Sequence, residues 1–506
     1  MVFPPRRTSG DSPPITVAPT PAWQERLPVV LVGALGALLG LYALRVASLS
    51  GGWGSLLIVA TLLPLVVIIA GQPRRLLLAI ILLELPFNYD IHLFYREEQA
   101  LRGAIGGLNV SVTTFAMAAL YGLWLWDTVL KRGTGNSLST VLRTNLSLLL
   151  YVAVAAASIL VAQDRQLAAF EVVMLVQLLL LYIYVVHWMR TREDVLFVVT
   201  LVLAGLVLES FVMLLLPLLG ESVSVLGMMA RIDEGRVAGT IGASNTAGAY
   251  LSLALAMALA VLVSGVTRPY KVLAGFAMSL GVVALILTGS RGGWIGLVVT
   301  VSVLSLFALR NGWISPFAVV GGLLFVLFFG TIFVGLILPR VWSPESAQAA
   351  LGRIPLMELT GRMIGDNPLL GVGANNFSTR MGEYATAGLQ DKWLYTVHNK
   401  FLLVWAETGL FALIAFVGFL VVTIRRGWRK VCENDAFLSP IALGLMAGIV
   451  GRIAHMLVDI FNGRTAVEFL WLVAAILAAM DLMQRRTPEP SLWVPVGDEP
   501  ALAGMK

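Results

Sequence analysis

The sequence predicts an all-α fold, a polytopic helical bundle embedded in a membrane, with about fourteen transmembrane helices. Hydrophobic residues make up 58% of the 506 residues and charged residues only 13%, whereas soluble domains average roughly 45–50% and about 25%. Apolar runs near the ~20 residues that cross a bilayer recur along the chain. Cations occupy every short connection on one predicted side, as the positive-inside rule requires.

Residues 1–26 are rich in proline, serine and threonine, and they predict a disordered cytoplasmic tail. The apolar run after Arg26 lacks a small-residue cleavage site, so it is interpreted as the first helix rather than a signal peptide. The bundle is predicted over 27–486, followed by a second cytoplasmic tail over 487–506. The single cysteine, Cys432, excludes an internal disulfide framework and a cysteine-based metal cluster.

The predicted spans follow one another at short intervals, with one longer interruption before the twelfth. They lie near 28–47, 53–71, 76–88, 109–130, 145–162, 167–188, 195–219, 243–265, 272–289, 293–309, 315–338, 400–424, 437–460 and 466–484. The third is short, and a re-entrant segment is the alternative there.

Counting from a cytoplasmic N-terminus assigns each connection to a side. The inner connections carry Arg74–Arg75, Lys131–Arg132–Arg143, Arg190–Arg192, Arg268–Lys271, Arg310, Arg425–Arg426–Arg429–Lys430 and Arg485–Arg486. The outer, periplasmic connections include 89–108, 220–242 and 339–399. The last is predicted to be a helical loop with short helices at Ala347–Ile354 and Pro355–Ile364. The net charge of +6 is explained by the cations that set membrane topology, and nucleic-acid binding is not expected.

Arg291 lies in Thr-Gly-Ser-Arg-Gly-Gly on the predicted outer side, where the topology rule does not explain a cation. Ser290 and the glycines around it allow a ligand or a neighbouring helix to approach the backbone closely. A guanidinium stays charged and binds phosphate oxygens through paired hydrogen bonds. Phosphate binding is therefore one interpretation, and contact with lipid headgroups or a carboxylate is the other.

A second cation, Arg236, lies in the glycine-rich outer loop that also contains Asn245. Together with Arg291 it has the charge to hold a diphosphate, and a local salt bridge is the alternative. For Arg231, in the same loop, the salt bridge with an acidic neighbour is favoured.

His398 directly precedes a long apolar helix, and Asn399 is predicted to cap that helix. Histidine titrates near neutral pH and can accept a proton from a hydroxyl, so His398 is the candidate base, with a structural role as the alternative. Glu407, inside the helix, requires a partner, either an arginine or a helix contact.

Arg452, His455 and Asp459 are spaced three and four residues apart, which predicts one helix face. They form either a proton relay, which a transporter needs, or a polar seam that braces the outer site. The sequence contains no His-Glu-x-x-His motif and no Gly-x-x-x-x-Gly-Lys-Ser/Thr loop, so no metal, no ATP and no other cofactor are expected.

Four segments occur in the order seen in the O-antigen ligase/O-antigen polymerase superfamily. They are RVAGTIGASNTAG, TGSRGGWIG, NPLLGVGANNF and VHNKFLLVWAETGL, within about residues 230–425. The chain therefore resembles this superfamily. It departs from the ligases, which usually have about twelve spans, and its Gly-Ala-Ser-Asn at 242–245 replaces a frequent Gly-Asn-Pro-Asn.

The resemblance implies a metal-independent, inverting glycosyltransferase of the GT-C class in the bacterial inner membrane, working at the periplasmic face. The donor would be a glycan on undecaprenyl diphosphate, held by Arg236 and Arg291, and His398 would deprotonate or orient the acceptor hydroxyl. A polymerase, acting in O-antigen or exopolysaccharide synthesis, would extend another lipid-linked glycan. A ligase would transfer to lipid A-core. Some relatives carry the label of bicarbonate transporter, so an anion transporter is the alternative of another class.

Overall fold

The computed structural model describes residues 71–483, apart from 88, 131–135, 226–227, 345–347, 349–350 and 387–393. Both predicted cytoplasmic tails, 1–26 and 487–506, and the first two predicted spans lie outside the described residues.

Helices make up most of the described chain. They are α1 Pro73–Glu84, α2 Glu97–Leu101, α3 Val112–Val129, α4 Leu138–Thr144, α5 Leu146–Ala157, α6 Arg165–Trp188, α7 Arg192–Leu219, α8 Ser244–Val263, α9 Arg268–Leu287, α10 Arg291–Arg310, α11 Pro316–Ile332, α12 Val334–Trp342, α13 Arg353–Asp366, α14 Phe377–Arg380, α15 Lys400–Val431, α16 Leu438–Met456 and α17 Arg464–Leu482. Five short strands accompany them: β1 Asp90–Leu93, β2 Leu108–Ser111, β3 Ser222–Val225, β4 Met228–Asp233 and β5 Arg236–Gly239.

Eight of the described helices are long and apolar enough to cross a membrane, namely α6, α7, α8, α9, α10, α15, α16 and α17. Two further pairs reach that length together, but the chain bends by 76° after α4 and by 85° after α11. Eight to ten spanning helices confirm the all-α polytopic fold. The predicted spans near 76–88 and 109–130 correspond to α1 and α3, with 12 and 18 residues. The count of fourteen spans stays a prediction.

The predicted outer connections are more structured than expected. β1 pairs with β2 across the 89–108 connection, and β3, β4 and β5 form an antiparallel sheet in the 220–242 connection. Strands of four to six residues are too short for an alternating pattern to stand out in a sequence. In the 339–399 connection one helix, α13, contains the predicted Pro355–Ile364 segment and begins at Arg353. The predicted Ala347–Ile354 helix lies partly outside the described residues and stays a prediction.

Small residues let α16 pack closely against α8 and α10 in the centre of the bundle. A Cβ atom added at Gly448 would lie 2.8 Å from Leu253 and 2.9 Å from Ala256 of α8, and one at Gly451 would overlap the Gly296 carbonyl of α10. Thr300 donates a hydrogen bond of 3.3 Å to the Ala447 carbonyl across the same contact. Membrane helices depend on close packing of this kind because lipid and protein are equally apolar.

Ion pairs between distant parts of the chain join residues that the topology assigns to the same side. On the predicted inner side they are Arg74–Asp127, Arg75–Asp194, Arg192–Asp435 and Arg429–Asp481, and on the outer side Arg96–Asp164, Arg464–Glu84 and Arg464–Asp90. These pairs agree with the directions that the cation pattern predicts for the helices they join, which are α1, α3, α6, α7, α15, α16 and α17.

Candidate functional site

The turn between α9 and α10 presents Arg291 as the first residue of α10. Gly289 adopts φ +58°, which favours glycine, and the Ser290 hydroxyl caps the helix by accepting the Gly293 N–H at 3.2 Å. A Cβ atom at Gly293 would lie 3.0 Å from the Gly248 carbonyl, and one at Gly292 would overlap the His455 ring. The two glycines after Arg291 are therefore required for packing against α8 and α16.

Arg236 projects from β5 towards this turn. Its Nε donates to the Thr288 carbonyl at 2.8 Å, and Nη2 donates to Asn245 Oδ1 at 2.5 Å. These neutral acceptors orient the guanidinium. Burial and, to a smaller extent, the charge of Arg340 lower the pKa of Arg236, whereas Asp233 and Asp459 raise it, and the net value is about 10. At this pKa the guanidinium still carries its charge at neutral pH.

The end of β5 is anchored to α7. Buried Glu209 accepts the Thr240 N–H at 2.9 Å and the Thr240 hydroxyl at 2.6 Å. The neighbouring Arg231 donates to the Gly242 carbonyl at 2.7 Å, so a backbone oxygen takes the place of the predicted acidic partner. Together these contacts fix the strand that carries Arg236.

Two more arginines, Arg340 on α12 and Arg353 at the start of α13, join the predicted pair. A Cβ atom at Gly289 would lie 2.9 Å from Arg340 Nε and 3.5 Å from Arg236 Nε, so both guanidiniums meet at the turn. The positive charges of Arg340 and Arg353 both repel the guanidinium of Arg291. Sequence reasoning missed these two residues, although they too are cations on the predicted outer side that the topology rule does not explain.

His398 is half-buried just before α15, with its ring 5.2 Å from that of Tyr395. Burial lowers the pKa of His398, the Asp459 carboxylate raises it, and Arg353 lowers it. The net shift is downward, so the imidazole is neutral at neutral pH. Asn399 accepts the Leu402 N–H at 3.0 Å, which confirms the predicted cap.

Shared charged neighbours bring the three predicted residues to one end of the bundle. The positive charge of Arg340 repels the charges of both Arg236 and Arg291. The negative charge of Asp459 attracts the guanidinium of Arg236 and favours the protonated form of His398. Arg353 acts on Arg291 and His398. Each pair of predicted residues is thus linked by one common neighbour, which defines a cationic site consisting of Arg236, Arg291, Arg340, Arg353, His398 and Asp459.

The single helix face predicted for Arg452, His455 and Asp459 is wrong for Asp459. Helix α16 ends at Met456, and Asp459 lies in the connection to α17. Its carboxylate accepts the N–H of Ile460 at 2.8 Å, a local hydrogen bond that competes with the helix. This break carries Asp459 away from α16 and into reach of His398 and Arg236.

Arg452 and His455 remain on α16 and are both buried. Arg452 donates to the Ala466 carbonyl at 2.9 Å and lies 4.0 Å above the Phe461 ring, while the His455 ring meets the same phenylalanine at 4.5 Å. His455 also packs on Gly292. Arg452 Nε, Arg452 Nη1 and His455 Nδ1 are buried without a hydrogen-bond partner among the described residues, so the relay and the bracing seam both stay predictions.

Glu407 makes a helix contact rather than an arginine pair. It accepts the Phe377 N–H at 3.0 Å, and the neighbouring Gly373 N–H donates to the Glu407 carbonyl at 2.8 Å. Helix α15 is interrupted at Gly409, where φ is +80° and a Cβ atom would overlap the Leu369 carbonyl. The Asn-Pro-Leu-Leu-Gly-Val-Gly segment therefore packs into the break and holds the 339–399 connection against α15.

The architecture defines a multi-pass membrane protein with a cationic site at one end of its bundle. The family model described as O-antigen ligase matches residues 275–417, a range that contains Arg291 and His398 but not Arg236. This match supports the resemblance to the O-antigen ligase/O-antigen polymerase superfamily. No curated protein matches the sequence significantly. The match supports glycosyl transfer of the O-antigen ligase/polymerase type in general.

Proposed function

We propose that this protein is an O-antigen or exopolysaccharide polymerase of the bacterial inner membrane. It moves a glycan from undecaprenyl diphosphate to a sugar hydroxyl of another lipid-linked glycan at the periplasmic face, by an inverting reaction that needs no metal. The observation that carries the proposal is a group of four interacting arginines, one of which, Arg353, also interacts with a neutral, half-buried histidine. The arginines suit a diphosphate, and the histidine suits an acceptor hydroxyl.

Arg236 and Arg291 hold the donor diphosphate, and Arg340 and Arg353 add positive potential around it. The acceptor oxygen attacks the anomeric carbon of the donor sugar from the face opposite the diphosphate. The carbon–oxygen bond to the diphosphate breaks, and its electron pair stays on the departing phosphate oxygen. Guanidiniums fixed beforehand stabilise the charge that develops there, because they need no reorganisation during the reaction.

The proton of the acceptor hydroxyl passes to a ring nitrogen of His398. Its lowered pKa keeps the imidazole neutral, so the nitrogen lone pair is available without a preceding deprotonation. Asp459 acts on His398 and stabilises the imidazolium that forms, while its buried carboxylate remains anchored by the Ile460 N–H.

Purified protein incubated with undecaprenyl-diphosphate oligosaccharide tests the proposal. We expect longer lipid-linked products on gels, an unchanged rate in EDTA, and a rate about 10²–10⁴-fold lower for His398→Ala. The thermal unfolding of that variant should match wild type, since His398 is only half-buried. A normal rate for His398→Ala would exclude it as the base, and strong inhibition by EDTA would contradict metal independence.

Two alternatives give different results in the same preparations. A ligase forms product only when lipid A-core is added, whereas a polymerase extends the lipid-linked glycan alone. An anion or bicarbonate transporter shows gradient-driven uptake in proteoliposomes and no glycan product. The polymerase is preferred to the ligase because no sequence feature points to a lipid A-core acceptor.

A further inference from the structure

A cavity of about 520 Å³ lies beside the cationic site, between the β1–β2 sheet and the connection from α16 to α17. Its walls include Asp90, Asn109, Asn462 and Arg464, together with the rings of His92 and Tyr95. Small-molecule sites in proteins typically have about 300–1,000 Å³ and a few fixed polar groups. The cavity has the size and the mixed lining of such a site.

Two oxygens in this lining, Asp90 Oδ1 and Asn109 Oδ1, have no hydrogen-bond partner among the described residues, but only Asp90 Oδ1 has an ion-pair partner, Arg464 at 2.7 Å. Asn109 is 6% exposed, and its Nδ2 donates to Asp90 Oδ2 at 2.5 Å. Its Oδ1 is buried and accepts no hydrogen bond from the described residues. A buried amide oxygen usually has a donor, because leaving it without one costs the hydrogen bonds that it made with water. A hydroxyl group entering the cavity would supply that donor.

The rim of the cavity offers an aromatic ring. Tyr95 is 56% exposed, and its ring meets that of His92 edge to face at 5.8 Å. An exposed tyrosine combines a rigid apolar face with a hydroxyl at its tip. Inside the cleft, amide and carboxylate oxygens suit the hydroxyl-rich edge of a sugar. At its mouth, an aromatic ring suits the apolar face of a sugar.

The charge of this region differs from that of the cationic site. Arg464 donates to Glu84 Oε1 at 2.7 Å, to Glu468 at 2.8 Å and to Asp90 Oδ2 at 3.1 Å. Three carboxylates thus surround the one guanidinium, so the wall carries no net positive charge to attract a phosphate. The lining favours an uncharged glycan or one bearing amino groups.

The cavity adjoins the half of the cationic site that would receive the acceptor. The Thr396 N–H and hydroxyl both donate to the Arg102 carbonyl, at 3.0 and 2.8 Å, which ties the segment carrying His398 to the α2 region that lines the cavity. Asn462, which lies three residues after Asp459 in the sequence, donates to the Gly103 carbonyl at 2.7 Å. Both segments that frame His398 therefore continue into the cavity walls.

We propose that this cavity binds the acceptor glycan, as an uncharged or amino-bearing oligosaccharide, and directs its terminal hydroxyl towards His398. The proposal rests on the polymerase function argued above and names the acceptor class. Asn109 Oδ1 accepts a sugar hydroxyl, and Tyr95 packs on a sugar face. The phosphorylated sugars of a lipid A-core would meet carboxylates here rather than cations.

Binding of two probes to the purified full chain tests this proposal. One probe is the free glycan released by mild acid from the lipid-linked donor, and the other is inorganic pyrophosphate. Saturation-transfer NMR titrations measure the affinity of each. We expect Tyr95→Ala and the cavity-filling Ala104→Phe to weaken glycan binding about tenfold or more, and to leave pyrophosphate binding unchanged. In transfer assays both variants raise KM for the acceptor more than they lower kcat.

Two further variants serve as controls. Phe94→Ala removes a ring that is 69% exposed, adjacent in sequence to Tyr95 and outside the cavity lining, and should keep wild-type glycan affinity. Arg291→Ala should lose pyrophosphate binding and transfer while it retains glycan binding. Equal glycan affinity in wild type, Tyr95→Ala and Ala104→Phe would overturn the acceptor site, as would loss of pyrophosphate rather than glycan binding. Should the wild type bind glycan in the cavity but transfer none, the polymerase function fails and the sugar site stands.

Discussion

Two arginines at the same end of the bundle have opposite surroundings. Arg464 is buried among Glu84, Asp90 and Glu468, with contacts of 2.7–2.8 Å to each. Arg236 directs its hydrogen bonds to neutral oxygens of Thr288 and Asn245, and Arg340 adds a second positive charge close by. Around Arg464 three carboxylates compensate one positive charge, whereas around Arg236 several positive charges lie close together.

This difference separates a structural role from a binding role. Burying an ion pair costs desolvation, and removing one partner leaves the other charge without compensation. Gathering like charges is unfavourable without a ligand, so a fold that does so gains stability when an anion binds. We infer that Arg464 joins α17 to α1 and β1, and that the arginines around Gly289 are arranged for a diphosphate.

The largest expected effect is on stability, at Arg464. Arg464→Ala leaves three buried carboxylates without their cation, which should lower the free energy of unfolding by about 3–5 kcal/mol. In detergent this predicts a large drop in the midpoint of thermal unfolding and poor recovery of folded protein. The matched control is Arg429→Ala, since Arg429 is 64% exposed in its pair with Asp481 and such pairs contribute about 0–1 kcal/mol. Equal midpoints for the two variants would show that the buried network is not structural.

Arg291→Ala should show the reverse pattern, with the loss in activity rather than stability. Removing one preorganised donor to a developing anion typically lowers the rate about 10²–10³-fold. Arg291→Lys should recover only part of this loss, because an ammonium cannot form the paired hydrogen bonds of a guanidinium. The control is Arg310→Ala, at the other end of α10, which should leave transfer and thermal unfolding unchanged. Full activity of Arg291→Lys would reduce the role of Arg291 to that of a point charge.

The sequence predicted those features that depend on local pattern. Hydropathy located every described spanning helix, and an asparagine before an apolar run located the cap at Asn399. Arg291 and His398 were found because a polar residue at the end of a span is conspicuous. These signals need only a window of about twenty residues.

Features that depend on distant contacts were not predictable in this way. Arg464 meets Glu84 across 380 positions, and no local pattern links the two. Arg340 and Arg353 join the site because the chain bends by 85° after α11 and because α13 packs against α15. Asp459 was assigned to a helix face because its spacing was regular, although its own carboxylate helps to end that helix.

The smallest expected effect is a shift in the pH dependence of transfer. The acid limb of kcat/KM reports the pKa of the free enzyme's base. His398 has a lowered pKa, so activity should stay high as pH falls to about 6.5, the ordinary value for histidine, and should decline only below it. Asp459→Asn removes a charge that favours the imidazolium, so the limb should move to lower pH. Arg353→Gln removes a charge that disfavours it, so the limb should move to higher pH.

Each shift should be about half a pH unit, because charges that act through a partly wet site differ by less than about 1 kcal/mol between protonation states. The control is Arg362→Gln, on the same helix as Arg353, where the guanidinium donates to the Tyr384 carbonyl at 2.8 Å instead of facing His398. Its acid limb should coincide with that of wild type. Shifts in the same direction for Asp459→Asn and Arg353→Gln would mean that the limb belongs to another group, and the cationic site would then lack its base at His398.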